Sequence, residues 1–134
     1  MARVCSLVCV LLALLLVDGC DLPSSGAYPI RLGSPTITLA WDPPAVQPSF
    51  APFAPSSYRV YWRTHLGGVW HLLAEVPASA SPSLLVRHSD LGDGAFDFAV
   101  RAINLRNAAS RFHTSLDAEA DPQGGWYLIW LISE

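Results

Sequence analysis

Three segments of this chain alternate strictly between two kinds of side chain, and that period dictates the fold class. In TITLAW (36–41) Ile37, Leu39 and Trp41 fall on one side. In YRVYWR (58–63) Tyr58, Val60 and Trp62 do the same, and in FDFAVRA (96–102) so do Phe96, Phe98, Val100 and Ala102. A period of two sends successive side chains to opposite faces of a strand; a helix would scatter the same residues around its axis. Residues 69–76 (VWHLLAEV) and 83–88 read as further strands. The turns between them are rich in glycine and proline: HLGG at 65–68 and DLGDG at 90–94. Residues 45–57 carry Pro48, Pro52 and Pro55 with no usable period and read as a long loop. Short strands divided by such turns predict an all-β, antiparallel β-sandwich over residues 35–134.

Hydrophobic residues make up 51% of the chain, which is high for such a domain. Sixteen of the 69 lie in the first twenty residues, and the rest of the chain has an ordinary globular content. All 14 aromatics and all 11 prolines lie beyond that point, which excludes a disordered chain, a collagen and a coiled coil. The net charge is −3, with eight arginines, no lysine and no basic run, so no nucleic-acid partner is expected.

Residues 4–17 (VCSLVCVLLALLLV) carry no charge. As a helix they would span about 21 Å, short of the ~30 Å hydrocarbon core of a bilayer. The length suits the apolar helix of a secretory signal peptide, here residues 1–19. The ending, Val17 with Gly19 and Cys20, resembles a bacterial lipoprotein signal, although Asp18 stands where that family prefers a small uncharged residue. The resemblance implies cleavage before Cys20, acylation of its sulfur with fatty acids such as palmitate, and a lipid-anchored protein. It would sit at the cell membrane or the outer membrane, facing periplasm or cell surface. Asp21 resembles an inner-membrane retention signal of enteric bacteria, which leaves the choice of membrane open. With Cys5 and Cys9 inside the signal, Cys20 is the one cysteine left, and lipidation would consume it. Residues 20–34 read as the lipidated Cys and a tether, with Ile30 and Leu32 able to form a first edge strand.

The residues of the sandwich resemble a fibronectin type III domain, an immunoglobulin-like fold. Trp41 in ITLAWDPP matches the tryptophan of the family's B strand, and Tyr58-Arg59-Val60 matches the Tyr-x-Val of its C strand. Leu91 matches the leucine before the E–F turn, and FDFAVRAIN (96–104) matches the F-strand pattern. Phe96 departs from it, because the family usually has a tyrosine there whose hydroxyl bonds back to the backbone. The segment after Asn104 departs further. Residues 105–125 stand where the family has a short F–G hairpin, and the apolar run WYLIWLI at 126–132 follows. Strand G is placed at 126–132, with 105–125 as a long F–G loop; the alternative places it at 111–118.

Three groups of residues invite a chemical reading. HTSLD (113–117) holds a histidine, a serine and an aspartate, but a triad needs them to converge in space, and a capped turn pinned by Phe112 and Leu116 explains them as well. Asp90, Asp93 and Asp97 lack the spacing of a calcium loop. His65, His71, His88 and His113 lack zinc-ligand spacing. No catalytic residue, metal or cofactor is therefore expected.

The outward face of the G-F-C-C′ sheet is the stronger candidate. If Tyr58, Val60 and Trp62 face the core, Arg59, Tyr61 and Arg63 face out on strand C. Asp97, Ala99 and Arg101 then do so on strand F. Trp70, with Trp126 or Trp130, adds aromatic surface; of these last two, Trp130 is assigned to the patch. Arginine beside aromatic residues is the composition of binding hot spots. The expected patch is Arg59, Tyr61, Arg63, Arg101, Trp70 and Trp130. The function implied is protein binding, scaffolding or adhesion at the cell envelope, with an envelope or extracellular protein as partner. The alternative is a carbohydrate- or peptidoglycan-binding accessory domain, since aromatic platforms also stack on sugar rings.

Overall fold

The alternating segments become strands, and two of them form the spine of the molecule. A computed structural model describes residues 27–44, 54–121 and 123–132. The expected signal peptide, Cys20 and the start of the tether lie outside the described residues, as does most of the proline-rich loop. By their internal contacts the described residues form two units: 27–28 with 116–125, and 29–115 with 126–132.

The larger unit is all-β. Its elements are β1 (Tyr28–Leu32, begun in the smaller unit), β2 (Thr36–Ala40), β3 (Pro55–Thr64), β4 (His71–Pro77), β5 (Ser83–Arg87), a single helical turn α1 (His88–Leu91), β6 (Gly94–Asn104), β7 (His113–Thr114) and β8 (Trp126–Trp130). One sheet runs β1-β8-β6-β3-β4, with β7 also on β6; the other is the antiparallel pair β2-β5. The segment read as a tether thus contributes an edge strand, because Ile30 and Leu32 alternate with the exposed Pro29 and Arg31 and pack against the core.

Both sheets supply that core. Leu39 from β2 and Val86 from β5 meet Val60 from β3, Phe96 and Phe98 from β6, and Leu128 and Trp130 from β8. Full burial of side chains of this size stabilises by about 1.5–3 kcal/mol each. Tyr58 is also buried, with its ring edge-on to Trp41 at 5.4 Å, and burial raises the pKa of its phenol. Phe96, where the resemblance implies a tyrosine, is buried and packs edge-on to Trp62.

The outer edge of β6 corrects the long-loop expectation. β6 is eleven residues and β8 only five, so β8 covers just its beginning: Gly94 opposite Trp130, Ala95 opposite Ile129 and Phe96 opposite Leu128. The remainder is covered by residues 108–115. Val100 pairs with His113 and Ala99 with Thr114, while Ile103 bridges to Ala109. Both expected positions of strand G are therefore occupied in part, one behind the other. The chain reverses after β6 in a turn in which the Asn104 side chain accepts the amides of Arg106 and Ala108. Asn107 adopts a left-handed φ of 61° there, which asparagine tolerates better than most residues. Where the two pieces meet, the Trp126 amide donates to the Ser115 carbonyl at 2.6 Å.

The smaller unit is tied by local hydrogen bonds. Tyr28 N donates to the Gly125 carbonyl at 3.0 Å, and the 3-10 turn Ala118–Ala120 is closed by Ala120 N to the Asp117 carbonyl at 2.9 Å. A Cβ on Gly125 would overlap the Leu116 carbonyl, so the backbone passes where no side chain fits. The Tyr28 phenol is held above its ordinary pKa by desolvation, then by its hydrogen bond to Asp121.

Candidate functional site

Pairing of β3 with β6 brings the expected outward residues together. Arg59 lies opposite Arg101, Tyr61 opposite Ala99, and Arg63 opposite Asp97. On the other side of β3, Arg59 faces Glu75 and Tyr61 faces Leu72, after a bulge between Val60 and Tyr61. The phase follows from the core side: Tyr58 and Val60 are buried, so the residues between them must point away.

Phe112 organises this face. Its ring lies edge-on to Tyr61 at 5.0 Å and near-parallel to Trp70 at 5.7 Å. The Arg101 guanidinium lies 4.7 Å over the Phe112 ring, and that of Arg63 lies 4.3 Å over Trp70. The order Arg63–Trp70–Phe112–Arg101 is a stack of cation, two rings and cation. Each cation–π contact contributes about 0.5–1 kcal/mol at an exposed site. Trp70 reaches the stack because β4 begins at His71, leaving Trp70 in the connecting turn, not in the strand expected over 69–76. Phe112 was read only as an anchor for a loop. An isolated aromatic in a polar stretch is the one sequence trait that marks it.

Beside the stack is a buried carboxylate. Asp97 was expected on a solvated face, yet it is fully buried. Alternation places it on the outward side correctly, but the turn after β3 covers it. Arg63 Nε donates to Oδ2 at 3.0 Å, as does the Leu66 amide at 3.0 Å, and His65 Nδ1 lies 2.6 Å from Oδ1. Three partners satisfy a charge that would otherwise be very costly to bury. Leu66 takes a left-handed φ of 58° to aim its amide at the carboxylate, a conformation that costs about 1 kcal/mol or more. The imidazole of His65 is stacked on Tyr127 at 3.6 Å.

Trp130 does not belong to this face. It is fully buried, and its indole N–H donates to the Ser34 carbonyl at 2.7 Å. In β8 the inward residues are Leu128 and Trp130, and it is Tyr127 that reaches the His65 side. Trp126 packs against the core, 6.0 Å from Phe98.

The other chemical candidates are dispersed. Ser115 is buried and its hydroxyl oxygen accepts the Phe98 amide at 3.1 Å, whereas His113 is exposed. Asp90 accepts the Arg87 amide at 3.0 Å and so closes the start of α1. Asp93 lies 2.6 Å from His88 Nε2 and also accepts the Ile132 amide at 3.4 Å. The His88 contact is the larger cause of a lowered Asp93 pKa. Among the described residues no cluster of three histidine, cysteine, aspartate or glutamate side chains is placed to hold a metal ion.

Around the stack several apolar side chains stand in solvent: Leu66 is 69% exposed, Val69 70% and Leu72 58%. Together with the arginines they make a mixed apolar and cationic surface. No protein-family model matches the chain, and no curated protein matches its sequence.

Proposed function

We propose that this protein is a lipid-anchored lipoprotein of the bacterial cell envelope. Its fibronectin type III-like sandwich binds a protein partner through the outward face of β3 and β6. The observation that carries this reading is the Arg63–Trp70–Phe112–Arg101 stack, bordered by exposed Leu66, Val69 and Leu72. Arginine and aromatic residues held in fixed rotamers lose little freedom on association, which is why such residues dominate binding energy. The fold assignment is supported by strand order: within the sheet β1-β8-β6-β3-β4, the run β4-β3-β6-β8 follows the C′-C-F-G order that the resemblance implies, with β2-β5 as a separate pair. A protein partner is favoured over a sugar because Arg63 and Phe112 both lie against the Trp70 indole. Less of the ring is then left for a pyranose to stack upon.

Two experiments test the two halves of the proposal. Replacing Cys20 by alanine should abolish fatty-acid labelling and release the protein from membranes; unchanged labelling and fractionation would refute the anchor. A photo-crosslinking residue at Val69 in the full chain should yield a defined protein adduct in native envelopes. Phe112→Ala should remove that adduct without unfolding the domain. The binding reading fails if no adduct forms, or if the adduct is indifferent to Phe112.

A further inference from the structure

The most central strand pair carries an electrostatic conflict. Arg59 and Arg101 are directly opposed on β3 and β6, and like charges in that position destabilise a sheet. Of the two, only Arg59 meets a carboxylate among the described residues, and at long range. The Arg59 Nε is 3.9 Å from Glu75 Oε1, a long ion pair, while the other oxygen of Glu75 accepts the Ser57 hydroxyl at 2.6 Å. The other contact of Arg59 is a long hydrogen bond of 3.4 Å to the Asn107 side chain. Arg101 donates its Nε to the Ser110 carbonyl at 2.8 Å and rests its plane on Phe112. Both contacts fix its orientation and neither neutralises its charge. Arg63, by contrast, closes on a carboxylate at 3.0 Å, the buried Asp97.

We infer that Arg59 and Arg101 together form a receptor for carboxylate groups of an acidic protein segment whose apolar side chains settle on the exposed Leu66, Val69 and Leu72. The inference rests on the binding reading above and supplies its partner chemistry. Charge complementarity carries it. The chain as a whole is at −3, yet this face sets Arg59 and Arg101 at opposed positions of the ladder, with only the 3.9 Å contact of Arg59 to Glu75 to offset them. A planar carboxylate between two forks gains charge-assisted hydrogen bonds from both and removes their mutual repulsion. The apolar neighbours select a ligand in which an acidic and an apolar side chain stand two residues apart, on the same face of an extended peptide.

The test is a fluorescence-anisotropy titration of the full chain, purified in detergent, with a short labelled peptide in which glutamate and leucine occupy successive alternate positions and serine stands between them. Binding should be saturable and weaken as salt is raised. It should fall roughly tenfold or more in Arg59→Ala and in Arg101→Ala, a loss of the size expected for one charge-assisted contact. Arg101→Lys, which keeps the charge but not the fork, should also bind more weakly. Arg31→Ala, on an edge strand, should bind as the wild type does. Melting temperatures of the variants separate lost contact from lost fold. Equal affinity for a lysine–leucine peptide overturns the inference, and so does absence of binding. Binding only to polyglucuronate or to phosphatidylglycerol vesicles overturns it as well. Persistence of the Val69 adduct together with failure of the peptide overturns the acidic-segment inference and leaves the binding reading intact. Loss of both overturns both.

Discussion

The two faces of the β3–β6 pair are made by the same backbone and held by different physics. On the inner face Tyr58, Val60, Phe96 and Phe98 are buried and their contacts are largely non-directional. On the outer face Arg63, Asp97, Phe112 and Arg101 are held by directed contacts, each of which fails if one partner is removed. Apolar burial makes the fold. Directed contacts fix a set of side chains in place at its surface. If that division is real, substitutions on the two faces must separate stability from binding.

The largest effect should come from the inner face. Trp130→Ala removes a fully buried indole and should cost about 3–5 kcal/mol, read as a lower midpoint in urea unfolding. Asp97→Ala is the strongest challenge to the comparison, since it lies on the outer side yet is buried. It strands the Arg63 and His65 partners and should destabilise by about 3 kcal/mol. A negligible cost would show that the outer face contributes nothing to the fold. Ser115→Ala deprives the Phe98 amide of its acceptor and should cost about 1–3 kcal/mol by the same measurement. Phe112→Ala should lose only the stacking and cation–π contacts, about 1 kcal/mol, while the binding readout collapses.

The smallest effect concerns pH. Asp93 is held below the ordinary carboxyl pKa, first by its hydrogen bond to His88 and then by the Ile132 amide. A carboxylate with a depressed folded-state pKa contributes stability above its unfolded pKa, and that contribution is lost as pH falls through the folded value. Acid unfolding of Asp93→Asn should therefore be slightly less steep in the range below the unfolded carboxyl pKa. A titration curve superimposable on the wild type would remove Asp93 from the account.

What the sequence made legible follows the same division. Ile37, Leu39 and Trp41 could be assigned to the core because the polar residues between them marked the opposite face. The same logic placed Arg59, Tyr61, Arg63 and Arg101 on one side. It failed at Trp130, because seven consecutive apolar residues from Trp126 to Ile132 carry no phase. It placed Asp97 on the correct side but could not show its burial. That burial is conferred by His65 and Leu66 in a turn whose geometry depends on a left-handed residue. Residues 105–125 looked like a loop because much of their attachment to β6 runs through Ser110 and Ser115. Serine side chains bonding to a strand edge leave no alternating pattern behind.

The closed junction at Ser115 and Trp126 has a consequence for how this domain can change. Because the stem is already tied by a backbone hydrogen bond, the ten residues of Leu116–Gly125 leave from and return to a fixed point. Closing a longer excursion from such a point costs only about 0.6 kcal/mol for each doubling of its length. That makes the junction a natural graft point, a position where the chain can gain or lose sequence while the sandwich keeps its register.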